Sequence, residues 1–182
     1  MSVHVNGVSF ACTMRGHICF GDEDGALGAE DGCPLEIRAR IKIDDSERFA
    51  TEGESAATVT GSVYCEDLGG NRPIEAGAVA MTTPGDGDDL GERWLLRFSD
   101  GVGHPLTLTG NKEGLTMPVR VHADAMFVAA GTVTPGRRDV VRQFASMRGE
   151  GATLGESAAS VRRVARPYVL LLRNAYRGRA EG

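Results

Sequence analysis

Glu92 and Tyr64 are the residues whose type and placing point first to chemistry. Glu92 precedes Trp94, Leu96 and Phe98 at two-residue spacing, so it shares their face if 92–98 is a strand. A carboxylate at the inner mouth of an apolar wall loses solvent. Its pKa rises, and it becomes suited to general acid or base work. The same residue at a strand end in water is only a surface charge. Tyr64 shares the parity of Thr58, Thr60 and Ser62, opposite Val59 and Val63, which reads as an outer face. Near a strand end its phenol is still within reach of a pocket, and with Glu92 it makes up the catalytic candidate set. His122 and Asp124, two apart on one face, form a His–Asp fragment used in acyl transfer, but no Ser or Cys nucleophile stands beside them. His17 and His104 fall on polar parity or at strand starts, and His4 lies near the N-terminus.

Other chemistries lack their residues. Cys12, Cys19, Cys33 and Cys65 form no C-x-x-C pair and have no paired histidine spacing, so no metal site is expected. Gly85-x-Gly87 and Gly101-x-Gly103 do not open a helix after a strand and are not followed by Lys-Ser/Thr, so neither is a phosphate loop. No cofactor motif is present. The net charge of −5 argues against general nucleic-acid binding. Residues 137–179 carry ten arginines, which reads either as a solvated face ion-paired to an acidic body or as a surface for an acidic partner. The N-terminus shows no signal-peptide pattern, and no apolar run approaches the roughly 20 residues a span needs. The expectation is a cytoplasmic protein with reduced thiols.

These residues need a scaffold, and one phrase in the chain describes it. Thr13-Met14-Arg15-Gly16, Thr58-Val59-Thr60-Gly61 and Thr107-Leu108-Thr109-Gly110 each place a Gly inside an alternating, β-rich segment. Glycines inside strands mark tight coiling, as closure of a sheet requires. Alternation predicts strands over 7–20, 35–43, 57–65, 74–82, 92–98 and 104–112, with 118–133 as one bent strand or two short ones. Gly69-Gly70-Asn71 signals a hairpin, and 21–32, 44–54 and 84–91 read as loops. After 137 the apolar period becomes helical, first to Arg148 and then over 156–176, where Pro167 is expected to kink or divide the helix. With 182 residues and a 41% hydrophobic share, the chain reads as a single domain over 1–182. Its fold class is mainly β with C-terminal helices (α+β). An antiparallel, lipocalin-like or calycin-like barrel of about 7–8 strands over 7–133 is followed by helices over 137–177.

Parity assigns Val8, Phe10, Cys12, Met14, Ile18, Ile37, Ile41, Val59, Val63, Trp94, Leu96, Phe98, Leu106, Leu108, Val121 and Phe127 to the inner wall. Small residues Ala39, Ala76, Ala78, Ala80, Ala123 and Ala125 join them, which leaves volume for side chains, a helix or a ligand to fill. A ligand there would be apolar. Met14, Phe10, Trp94, Phe98 and Phe127 are the residues expected to touch it.

The order of Phe10-x-x-Thr13-Met14-x-Gly16, Gly61-x-Val63, Leu108-x-Gly110-x-Lys112 and Ser146-Met147-Arg148 resembles the β-rich C-terminal accessory region of bacterial glucose–methanol–choline, cholesterol-oxidase-like oxidoreductases. The chain has no flavin-binding strand–GxGxxG–helix unit. The resemblance therefore implies a freestanding module that travels with enzymes of steroids or lipids, and no oxidase chemistry.

Three functions follow as expectations. The first is a cofactor-independent cyclase or isomerase of the kind secondary metabolism uses, which folds a polyketide, polyene, steroid or lipid-like molecule inside the barrel and acts on it through Glu92 and Tyr64. The second is a non-catalytic lipid- or steroid-binding accessory protein that partners a separate oxidoreductase. The third is an interaction protein that docks its arginine-rich helix on an acidic partner. A homodimer is the expected assembly.

Overall fold

The computed structural model describes residues 6–21, 32–51, 56–82 and 91–180. His4 and most of the loops expected over 21–32 and 84–91 lie outside the described residues. Strands β1 (Val8–Phe20), β2 (Cys33–Ile43) and β3 (Ala56–Cys65) are followed by β4 (Gly70–Pro73), β5 (Ala76–Thr82) and β6 (Gly91–Ser99). Then come β7 (Pro105–Glu113), β8 (Met117–Ala123), β9 (Met126–Thr134) and the short β10 (Arg148–Gly149). Helices are α1 (Ser46–Thr51), α2 (Arg137–Ala145) and α3 (Leu154–Ala180).

All ten strands belong to one antiparallel sheet of order β10-β1-β2-β3-β5-β6-β7-β8-β9, with β4 also on β3. β1 pairs with β9 from Arg15↔Thr134 to Phe20↔Ala129, which closes an eight-stranded barrel once the short β4 and β10 are set aside. At this seam the backbones approach closely at Gly16, opposite Val133, and Gly131, opposite Ile18. A methyl group on Gly16 would overlap the Thr132 carbonyl, and one on Gly131 the His17 carbonyl. Gly61, the second glycine of the repeated phrase, takes φ 131°, a backbone that side chains disfavour.

The lumen is filled. Phe10, Met14, Ile37, Leu96 and Leu108 have no accessible surface, and Trp94 and Phe98 have 1%. A void large enough for one water would expose some of that surface, so no such void adjoins these side chains. The expected wall of small residues is corrected in part here, since Ala39 is buried in the core and Ala123 packs against it. Gly77, Val79 and Met81 face inward opposite Leu96, Trp94 and Glu92. Ala76, Ala78 and Ala80 therefore turn outward, and Ala125 is exposed in the β8–β9 turn. Phe127 is corrected too. A register shift between Val121 and His122 pairs His122 with Phe127, and a one-residue slip moves a side chain to the other face. Phe127 thus lies half-buried, edge-on to the His122 ring with centroids 6.0 Å apart.

Residues 118–133 take the second of the two expected forms, two short strands, turned at Asp124 in a left-handed conformation with φ 52°. Other differences are local. Part of the polar segment expected as a loop is α1, whose Phe49 is buried. Helix α3 runs through Pro167 without a break. Thr153 and Glu156 cap it reciprocally, with Glu156 N–H donating to Thr153 Oγ1 at 3.2 Å and Thr153 N–H to Glu156 Oε2 at 3.1 Å. Arg162, Arg163, Arg166 and Arg173 are exposed and make no ion pair among the described residues, while much of the acidic segment expected to face them lies outside those residues. Among the described residues no helix is long and apolar enough to cross a membrane.

Candidate functional site

One end of the barrel carries the helices. It gathers the start of β1, the end of β2, the start of β6, the end of β7 and the start of β8. Helix α3 packs on α1 and β10, and α2 packs on β1. Asp139 at the start of α2 accepts from the Gly136 N–H at 3.0 Å and from Arg15 of β1 at 2.7 Å, which ties the helix to the barrel. Arg15 also binds Glu36 of β2 at 2.7 Å, and Arg38 joins the same carboxylate.

A buried polar cluster lies beneath this cap. Alternation on β6 turns Glu92, Trp94, Leu96 and Phe98 inward, and on β7 it turns Leu106, Leu108, Gly110 and Lys112 inward. The hairpin register sets Glu92 opposite Lys112 and Trp94 opposite Gly110. The glycine leaves room that Met117 uses, since a Cβ there would come within 2.6 Å of the Met117 sulfur. Trp94 Nε1 donates to Glu92 Oε2 at 3.1 Å, and Lys112 Nζ lies 3.5 Å from the same oxygen. Tyr168 descends from α3 and meets Phe10 edge-on, ring centroids 5.4 Å apart.

The electrostatics follow from burial and from one another. Burial alone would push the Lys112 ammonium down, but the Glu92 carboxylate reverses this and holds its pKa above the ordinary value. Burial, then the same carboxylate, raises the Tyr168 phenol well above its usual range. Burial pushes the neighbouring Cys12 thiol up to about 12, against the opposing effect of Lys112. The Tyr168 hydroxyl lies close enough to the Glu92 carboxylate to interact with it, yet among the described residues neither it nor Glu92 Oε1 makes a well-formed hydrogen bond. Buried polar atoms are nearly always bonded, so these two oxygens are the atoms of the cluster with hydrogen-bonding capacity to spare. A notch of about 10 Å³ reaches Lys112 and Tyr168 between Phe144 of α2, Leu172 of α3 and the β7–β8 turn. This is close to the space one water needs.

The expected site residues divide. Glu92, Trp94 and Phe10 meet in the cluster. Met14 lies further down the same face of β1, and Phe98 is near the far end of β6. Phe127 is outside this group. Tyr64 is 42% exposed on the outer face, paired with Glu36 and Asn71, and does not meet Glu92. His122 packs on Phe127. His104 holds Asp100 at 3.1 Å in the β6–β7 turn, and His17 is exposed. Sequence reasoning missed Lys112 and Tyr168 as members of the site. Lys112 continues the apolar parity of Leu106 and Leu108, which is the signal that marks it.

Two further observations bound the site. A groove of about 560 Å³ crosses the outer face of β7–β9 beside Thr109, Asn111, Arg120 and Thr132, on the opposite side of the strands from Glu92 and Lys112. Among the described residues no group of three or more His, Cys, Asp or Glu is placed to hold a metal ion. Comparison with protein-family models, curated proteins and solved structures finds no match.

Proposed function

We propose that this barrel binds an apolar small molecule at its helix-capped end and acts on it as a cofactor-independent isomerase or cyclase. The observation that carries the reading is the pair of buried, unpartnered oxygens, Glu92 Oε1 and Tyr168 Oη, in an otherwise apolar interior. A polar atom of a ligand that reaches this cluster can bond to both. Glu92 Oε1 is the free end of a carboxylate held at its other oxygen by Trp94 and Lys112, and it takes a proton from the ligand. Tyr168, kept protonated, donates to an oxygen or carbon that gains electron density, and Lys112 stabilises the charge that develops. The proton then returns at another position, which shifts a double bond or completes a ring. Because the lumen is filled, the ligand enters by displacement of α3 at the Lys112–Tyr168 notch. A polyketide, polyene, steroid or lipid-like substrate, a cytoplasmic setting and a homodimer belong to this proposal.

The test is native mass spectrometry of the purified protein with extraction of bound compounds, alongside Trp94 fluorescence against a panel of sterols and polyenes. The expected result is a bound apolar molecule and a change in Trp94 emission. Turnover of that molecule is lost in both Glu92→Gln and Tyr168→Phe, with affinity nearly unchanged. An empty protein with no response to any panel member overturns the reading. Binding without turnover in the wild type favours the carrier that partners a separate oxidoreductase, the role the resemblance to accessory regions implies.

A further inference from the structure

We propose that Cys33 and Cys65 form a dithiol site that reacts with a low-molecular-weight disulfide and closes to an intramolecular disulfide. The proposal is independent of the ligand reading. Their sulfurs lie 3.0 Å apart, roughly 1 Å more than a disulfide bond. Neighbouring strands hold them there. Glu36 pairs with Tyr64, so Cys65 follows the last rung of the β2–β3 ladder, and Cys33 opens β2 diagonally across from it. The two are at the barrel end opposite Glu92, which begins β6. Cys12 is sealed in the lumen and Cys19 is buried, so neither competes for a bulky reagent.

The two thiols differ in the way an ordered exchange requires. Cys33 is half-buried, whereas Cys65 is 1% exposed. Burial, with Cys33 next to it, pushes the Cys65 thiol up to about 12. The Cys33 thiolate therefore attacks first. Its sulfur bonds to one sulfur of the reagent, the reagent's S–S bond breaks, and one small thiolate leaves. Cys65 then gives up its proton to that departing thiolate, and its sulfur attacks Cys33 Sγ and expels the second. Two protein thiols are oxidised by two electrons, and one small disulfide is reduced to two thiols.

The experiment incubates the reduced full-length chain with glutathione disulfide in mildly alkaline buffer and follows intact mass and peptide maps. The expected product has lost two hydrogens, links Cys33 to Cys65, melts at a higher temperature than the reduced form and reverts with dithiothreitol. Cys65→Ala is expected to stop at one glutathione on Cys33, and Cys33→Ser to take up none while folded. If Cys65→Ala does not fold, the Cys33→Ser variant at the more open position still decides the point. The proposal is overturned by a native protein that does not react, by a glutathione that stays on Cys33 while Cys65 remains a thiol, or by a link through Cys12 or Cys19.

Discussion

A phenol buried without a partner opposes folding, and Tyr168 is the most testable single residue in this chain. Tyr168→Phe keeps the ring against Phe10 and removes only the hydroxyl. The expected result is a gain of about 1 kcal/mol in a urea unfolding curve, the size of an unmet hydrogen bond, together with loss of turnover. A loss of stability would mean that the hydroxyl is bonded in solution. The Glu92–Lys112 pair behaves in the opposite way. Removing one charge strands the other, so Lys112→Met is expected to cost about 3–5 kcal/mol. Adding Glu92→Leu restores most of that and leaves the smaller penalty of an unpaired Trp94 N–H, about 1–2 kcal/mol. A double variant as unstable as the single would refute the pairing. Glu92 was legible because it keeps step with Trp94, Leu96 and Phe98. Its partners were not. Lys112 becomes a neighbour only through the hairpin register, and Tyr168 only through the docking of a helix some 56 residues further along the chain, counting from 112 to 168.

At the scale of elements, alternation revealed the strands where large apolar residues alternate with charges, as in β2 and β6. It failed where the residues themselves carry little preference. Ala76, Ala78 and Ala80 bury too little area to choose a face, whereas Val79 and Met81 fill the lumen and choose it for them. Phe127 failed for another reason, because a bulge changes parity without any sign in composition. The glycines within strands were a sound guide to closure, and the seam supplies its own test. Gly131→Ala drives a methyl into the His17 carbonyl. It is expected to destabilise the protein by at least about 3 kcal/mol, the upper range of overpacking. Gly70→Ala, whose added carbon would meet nothing within 4 Å, is the comparison for backbone strain alone because its φ is 78°. Equal losses in calorimetry would show that the seam is not closed as described.

For the whole molecule, the raised pKa values set a direction with pH. Cys12 has an ordinary value of 9.0 and is pushed up to about 12 in the fold. Between those values the folded state holds a proton that the unfolded chain has released. Stability is therefore complete below pH 9.0 and falls as pH climbs toward 12. Tyr168 and Lys112, both raised, act in the same direction. Cys12→Val keeps an apolar side chain of similar bulk and is expected to flatten the alkaline decline in melting temperature. An unchanged slope would assign the decline to other groups.

The seam between β1 and β9 also has a consequence for how the chain is made. Residue 15 has no partner on that side until residue 134 has left the ribosome. Throughout synthesis the growing sheet has two raw edges, one on its oldest strand and one on its newest. Edges of this kind recruit whatever strand is near, and contacts this distant in sequence form slowly. The nascent barrel is therefore most exposed to misassociation just before it is complete, and β9 ends that exposure in a single step.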